Sequence, residues 1–588
     1  MKSSSRFLIT TSEEQTWKFD CPVIFLGEWC RLYNRKHIWE KMDAVVSDPY
    51  GLGLAQKTID RDKARHMEKV FITKLVPILN IVHRKKHSER FWRIILGPWL
   101  RVFIQTGLNR IHTLEKCIAG NYISGSSLIE LNKQDLISLN TQDFTYKLGN
   151  SAWNSALDSI ILGYMQKIDF PITLLNNLTD NSIIKKEKLL EVNSFKTNIS
   201  QSIKTVLSYC IKDSDSVIVN SYLSSINQVK LQLSLRQVPQ FWQELFIEPV
   251  ASIDLEMRNN LKRGFILEDN DLDLQILSTI LFDFLPIVYL EGFAELCNIA
   301  DNQRYPQHPK FIFTSNSHIF DEAFKVWMAK KSETGTKLLI GQHGSNYGVH
   351  RFIGDTAEAE ISDTFLAWGN QKPNSKYKNA FVFTTAGKKL KLNASGGLLL
   401  VEVCINKRRV THDCTYEYLA YHKSSKEFVS KLPNSIKQCT TIRLHREYKN
   451  MEFYDDLRWT DFDPTLRVDY GQAPIHSLMS TSRLVVFHYD SSGFLENLSL
   501  NVPTMMLLED NFETLSDESI PYYQSLVNVG ILHLSPESIV NKICEEWDNI
   551  DTWWNDKNLQ EARISFCIQY AKYENKPIRK LRKILLEG

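Results

Sequence analysis

Apolar residues first gather in two short runs, at 7–10 and 23–26, which predict strands. A long region of helical spacing follows. It takes in 64–83, interrupted by Pro77, and the aromatic segment FWRIILGPWL at 91–100. From about 140 to 300, leucine and isoleucine recur at intervals of three and four, again predicting helix. Past residue 305 the pattern changes to strand (310–314), helix (319–331) and strand (337–340), the signature of a parallel βαβ unit. It recurs later. Residues 397–403 predict a strand, 416–432 a helix, 440–444 and 483–487 strands, a helix from 493, and 504–508 a strand. Helices at 537–547 and 551–586 close the chain.

Two βαβ units with a last helix able to pack back on the first describe an α/β, GT-B-like plan. The expected division is an N-terminal Rossmann-like domain at 1–370 with a large helical insertion at about 120–300, and a polar, lysine-rich linker at 371–395. A C-terminal Rossmann-like, nucleotide-binding domain at 396–550 and C-terminal helices at 551–588 complete it. A chain of 588 residues is too long for one core, which agrees with two large domains. A hydrophobic share of 43% excludes general disorder, and a net charge of +2 with no basic stretch in the body argues against nucleic acid as a partner. The ten cysteines form no CxxC pair, so zinc ribbons and thioredoxin-like chemistry are not expected, and reduced thiols are. The opening MKSSSRFLITTSEEQ lacks the apolar centre of a signal peptide, and charges break the most apolar stretches before the roughly 20 residues of a membrane span. A cytoplasmic protein is expected.

Glycine is scarce, at 24, yet Gly335, Gly341, Gly344, Gly348, Gly354 and Gly369 cluster. They enclose GQHGSNYG at 341–348, directly after a predicted strand, where ligands of open parallel sheets bind. The preceding strand ends in TSNSH at 314–318, with Asp321 and Glu322 opening the next helix. Two strand ends thus carry Asn316, His318, Asp321, Glu322, Gln342, His343 and Gly344. Acids in a first turn also serve simply to complement the helix dipole, and that alternative stands for Asp321 and Glu322. A second constellation is VVFHYDSSGFLE at 485–496, where a buried strand runs through Ser491, Ser492 and Gly493 into a helix. Free amides at such a start suit a phosphate, and Glu496 could reach a ribose hydroxyl. Arg443 and His445 follow a strand that points at the same cleft, where an arginine can grip phosphate. Glu28, in FLGEWC at 25–30, is a candidate acceptor-side residue or acid/base. Trp92 and Trp99 fit a core better than a sugar platform. The basic, amphipathic C-terminal end suits either a solvated face or peripheral contact with an anionic membrane.

Taken in order, FLGEWC, FWRIILGPWL, SNSHIFDEAFKVW, GQHGSNYG and DSSGFLENLSLNVPTM resemble a family of transferases encoded in O-antigen and capsule clusters, over nearly the whole chain. That family is similar to the Kdo and pseudaminic acid (nonulosonate) transferases, GT-B-like enzymes that use CMP-activated 2-keto-3-deoxy sugars. The resemblance implies a glycosyltransferase of surface polysaccharide synthesis, with Arg443, His445, Ser491, Ser492, Gly493 and Glu496 holding the CMP moiety. Asn316, His318, Gln342 and Gly344 would face the sugar. Asp321 would be a carboxylate nucleophile in a retaining reaction, with Glu322 an alternative and His343 contacting the sugar's carboxylate or protonating the leaving phosphate. Partners are a nucleotide-sugar donor and an oligosaccharide or lipid-linked glycan acceptor. No cofactor beyond the activated sugar is implied. A metal is not expected either: Asp213/Asp215 and Asp271/Asp273 form Asp-x-Asp pairs, but away from strand ends. The rivals are a CDP-polyol phosphate transferase and a non-catalytic polysaccharide-assembly protein.

Overall fold

The computed structural model describes residues 5–165, 168–176, 209–242, 247, 251–265, 267, 271–345, 347–351, 357–370, 376–408 and 414–587. Three sheets organise it, and every strand pairing within them is parallel. The first contains β1 (Arg6–Ile9), β2 (Val23–Phe25), β3 (Ala44–Val46), β4 (Ile123–Glu130) and β5 (Ile172–Asn176), in the order β3-β2-β1-β4-β5. The second runs in sequence order through β6 (Val217–Val219), β7 (Phe311–Thr314), β8 (Lys337–Gly341), β9 (Thr364–Ala367) and β10 (Tyr377–Asn379). The third holds β11 (Gly397–Val401), β12 (Thr440–Arg443), β13 (Arg467–Asp469), β14 (Ser482–Phe487), β15 (Thr504–Leu507) and β16 (Leu532–His533), ordered β13-β12-β11-β14-β15-β16. The first and third sheets therefore reverse direction beside their opening strand, the doubly wound arrangement whose switch point attracts ligands.

The expectation of α/β architecture with parallel sheets holds. The stretch at 120–300 is not purely helical, however: β4, β5 and β6 lie in it. β6 has only three residues, too few for periodicity to register, and β4 reads ISGSSLIE, whose serines mask a strand with Ser126 fully buried. The expected linker likewise contributes β10 and the buried Phe381 and Phe383.

The second sheet is the middle layer, and its side chains alternate as a strand dictates. Val217, Val219, Ile312, Leu338, Ile340, Phe365 and Ala367 point into a core shared with the first unit. Ile218, Phe311, Phe313, Leu339 and Leu366 join a core shared with the third. Beneath the first face run two long helices, α1 (Leu54–Val82) and α2 (Glu89–Gly120), which pass through Pro77 and Pro98 without ending. Trp92 and Trp99 on α2 are wholly buried, so they belong to the core.

Later helices tie the layers together. α3 (Glu322–Glu333) follows β7, α4 (Cys414–Lys431) follows β11, and α5 (Ser492–Ser499) follows β14. α6 (Lys557–Tyr570) returns to the second sheet, where Gly369 allows the backbones to touch: a Cβ there would lie 2.2 Å from the Gln569 carbonyl oxygen. Lys572 N–H then donates to Trp368 O at 2.8 Å. α7 (Pro577–Glu587) buries Leu581, Ile584 and Leu585, leaving Arg579, Arg582 and Lys583 exposed. No helix among the described residues is long and apolar enough to cross a membrane.

Candidate functional site

The loops at the C-terminal ends of the second and third sheets meet. Gly341 closes β8 where a Cβ would strike the Phe383 ring and the Ser315 hydroxyl, both at 2.7 Å. The chain then turns through His343 and Gly344, and Ser345 N–H donates to Ser492 Oγ at 2.8 Å. Ser491 caps α5 by accepting from Phe494 N–H at 3.1 Å, which leaves the Ser492 and Gly493 amides as outward donors of the first turn. Gly493 is required there, because a Cβ would lie 2.8 Å from the Phe487 ring. Glu496, one turn in, accepts from the Thr384 hydroxyl at 2.7 Å; burial raises its pKa. His350 Nε2 reaches Asp490 Oδ2 at 3.3 Å, a second link across the same seam.

Facing α5 is a polar cluster built on the second sheet. Tyr347 OH lies 3.1 Å from His343 Nδ1 and donates to Glu358 Oε1 at 3.0 Å. His318 Nε2 stands 3.6 Å from the same Glu358 oxygen, an ion-pair contact just beyond hydrogen-bond length. Asn316 Nδ2 donates to Tyr222 OH at 3.1 Å, and the Tyr222 ring lies 6.0 Å from that of His343. The turn presenting Tyr222 is strained: Asn220 and Tyr222 both have left-handed φ, of 46° and 62°. Burial pushes the His343 pKa below the ordinary histidine value, so the ring is a neutral base at pH 7. Burial acts to raise the Glu358 pKa, but the neighbouring His318 outweighs it and the net shift is downward. Among the described residues, Asn316 Oδ1, Ser315 Oγ and both ring nitrogens of His318 have no hydrogen-bond partner although buried. Such groups carry a desolvation cost that a ligand can relieve.

His343, Gly344, Ser491, Ser492, Gly493, Glu496, Asn316 and His318 are thus brought to one seam. The other proposed residues have contacts of their own. Asp321 Oδ1 accepts from Phe324 N–H at 3.0 Å as the buried cap of α3. Glu322 sits in the interior, 2.8 Å from Lys325 Nζ, accepting from Tyr289 OH at 2.8 Å and from Thr141 N–H at 3.1 Å. Both carboxylates therefore make structural contacts at the start of α3. Gln342 is a brace: its amide donates to Gly344 O at 2.9 Å and its carbonyl accepts from Trp368 N–H at 2.8 Å. Arg443 is ion-paired with Asp469 on the adjacent strand β13, so it is not a free phosphate grip. His445 Nδ1 accepts from Glu447 N–H at 3.2 Å within its own turn. Glu28 holds Arg31 and lines a separate cavity between the first and third units. Sequence reasoning missed Tyr222, Tyr347, Glu358 and Thr384. Tyr222 follows the buried VIV of β6 and Tyr347 stands within the GQHGSNYG motif, so both carried a readable signal; Glu358 and Thr384 carried none.

One group of metal-ligand type occurs among the described residues: His112, Glu115 and Asp273. Lys63 already pairs with Asp273, and His112 Nε2 lies 2.7 Å from Asp273 Oδ2. Burial lowers the His112 pKa, yet the Asp273 bond outweighs it and the net shift is upward. The group is a charge network joining α1, α2 and the helix Leu272–Phe284.

A family model described as LIC12162 family transferase matches residues 6–585. The chain belongs to that family and is a transferase. As a LIC12162 family transferase it has no match among curated proteins. Solved structures similar in fold include the wall teichoic acid polymerase TagF, at 10% identity over 68% of this chain and 98% of that one, TM-score 0.33. The spinosyn rhamnosyltransferase SpnG matches at 13% identity over 50% and 77%, TM-score 0.28. S. aureus MnaA, solved with UDP, matches at 11% over 64% and 97%, TM-score 0.35.

Proposed function

We propose that this transferase moves a sugar from a nucleotide-activated donor, with the phosphate held at the start of α5 and His343 acting opposite it. The observation that carries the reading is the 2.8 Å contact of Ser345 N–H with Ser492 Oγ, which joins the GQHG turn to the DSSG helix start. The free amides of Ser492 and Gly493 and the positive end of α5 suit the negative charge that grows on a departing phosphate. Neutral His343 suits removal of the acceptor hydroxyl's proton, with Glu358 stabilising the imidazolium that forms. Asn316 and His318 supply unpaired polar atoms for the sugar's hydroxyls or carboxylate. With Asp321 and Glu322 committed elsewhere, direct attack by the acceptor replaces the covalent route, and the reaction inverts the anomeric centre.

For the donor, the motif resemblance supports a CMP-activated acidic ulosonic sugar, of the Kdo or pseudaminic acid type, and a surface-polysaccharide acceptor. No metal is needed on this reading, because amides meet the phosphate. The basic outer face of α7 would attract an anionic membrane surface by charge alone, since its apolar face is already packed inward. The test is to incubate the enzyme with CMP-ulosonate and glycan acceptors in EDTA and follow CMP release. The account expects sugar-extended product of inverted configuration. A phosphorus-containing product from a CDP-polyol, retained configuration, or strict Mg²⁺ dependence would contradict the corresponding step.

A further inference from the structure

A second cavity, of about 210 Å³, lies between the turn after β2 and the third unit, sharing no residue with the seam described above. Its walls are aromatic and charged: Trp29, Trp39 and Phe453 alternate with Arg31, Lys407 and Arg458. Two of the cations are neutralised. Arg31 forks onto Glu28 while stacking on Trp39 at 4.8 Å, and Lys407 pairs with Glu452. Arg458 is different. Its Nε donates to Phe453 O at 2.7 Å and its guanidinium covers the Tyr33 ring at 4.2 Å, but no carboxylate lies within ion-pair distance among the described residues. Neither Nη makes a hydrogen bond among the described residues, and the Asp455 and Glu28 carboxylates act on the guanidinium only from beyond ion-pair distance.

The turn that shapes this wall is strained in the same way as the one carrying Tyr222. Glu452 and Tyr454 both sit in the left-handed region at φ 56°, with Phe453 between them aimed at the cavity. On the opposite wall, Gly27 lets the Trp29 ring fold back to where a Cβ would be only 2.1 Å away, and Trp29 Nε1 anchors to Thr10 O at 2.9 Å. Backbone strain and a glycine-dependent fold-back thus hold two aromatic walls apart around an unpaired guanidinium.

We infer that this cavity is a binding site for an acidic sugar unit, whose carboxylate pairs with Arg458 while its ring lies against the aromatic wall and its hydroxyls donate to Glu28 and Glu452. The guanidinium fork matches a carboxylate in two parallel bonds. Carboxylates already paired with a cation keep lone pairs for hydroxyls, and Glu28 and Glu452 retain 18% and 40% side-chain exposure. The inference draws on the glycosyl-transfer reading only in choosing a sugar, and its test needs no donor.

The full-length protein would be titrated with glucuronic acid, glucose and inorganic phosphate, following saturation-transfer NMR. Wild type, Arg458→Gln, Arg458→Lys and Ser492→Glu would be compared. Glucuronic acid should bind wild type and Ser492→Glu alike, and bind Arg458→Gln at least about tenfold more weakly, glucose being weak throughout. Arg458→Lys, which keeps the charge and loses the fork, should fall between them and carries the test if Arg458→Gln unfolds. Equal binding of glucose, unchanged affinity in both Arg458 variants, phosphate competing as well as glucuronic acid, or loss of binding in Ser492→Glu would each overturn the site. Absence of CMP-dependent transfer in the wild type, with glucuronic acid binding intact, would instead refute the functional reading above.

Discussion

His318 and Glu322 stand four residues apart, both buried, at the end of the same strand, yet their surroundings differ in kind. Glu322 has its bonding filled by Lys325, Tyr289 and Thr141, all inside the contact of the first and second units. His318 lies 3.6 Å from Glu358 with its ring edge-on to that of His343, and both its nitrogens lack a hydrogen bond among the described residues. A buried polar group whose bonds are complete fixes the fold, whereas one held incomplete is poised for a ligand. That difference, rather than residue type or position in a motif, separates the framework from the site.

The strongest way to break the comparison is at its functional pole. His343→Ala should lower kcat/KM by roughly 10²–10⁴-fold with little change in Tm. Because burial depresses its pKa, the wild-type imidazole loses its proton at lower pH than an ordinary histidine, and the acid limb of kcat/KM should lie below the ordinary histidine value. An acid limb centred above pH 7 would remove His343 as the base. At the structural pole, Glu322→Gln leaves the Lys325 ammonium buried without its carboxylate and should cost about 3–5 kcal/mol in denaturant unfolding. Unchanged stability with lost activity would return Glu322 to the chemistry.

An intermediate case sharpens the rule. Glu402, at the end of β11, is buried with neither oxygen bonded, and burial pushes its pKa up to about 8. Its folded form prefers the proton, so its stabilising effect is complete below pH 4.5 and is lost as pH rises through 8. Glu402→Gln should therefore stabilise the protein at pH 9, by on the order of 5 kcal/mol at most, and leave it nearly unchanged at pH 4. A gain of equal size at both pH values would mean that the carboxyl is not the cause. The smallest effect is expected at Asp321, where Asp321→Ala removes one helix cap and should cost about 1 kcal/mol, with kcat retained. A collapse of kcat there would restore the covalent route.

The seam itself was readable because glycines and a Ser-Ser-Gly helix start mark places where backbone must pass close to something. Gly341 and Gly493 each sit where any Cβ would collide. The helices and strands after residue 305 were readable for the same reason that the third sheet is stable: β14 and β15 each carry an apolar run, LVVF and MML, that is buried throughout. The N-terminal half was less legible. Three-residue strands such as β6 carry no period, and the serines of β4 read as polar until its partners are known. Charged residues misled most. Arg443 at a strand end looks like an anion grip, and only the cross-strand register with Asp469 reveals its partner. Glu358 lies in a five-residue helix with no motif around it, so nothing local marked it.

The central claim is that a nucleotide's phosphate rests on the first turn of α5 beside the GQHG turn. It is tested most directly by thermal shift with CMP, CDP, UDP and GDP on the wild type and on Ser492→Glu. A glutamate in a first turn suits the helix dipole, so the variant should melt like wild type without ligand. The account predicts that CMP raises the wild-type Tm more than the other nucleotides do, and that Ser492→Glu abolishes this rise by repelling the phosphate. A nucleotide shift undiminished in Ser492→Glu, or no shift with any nucleotide in the wild type, would contradict it.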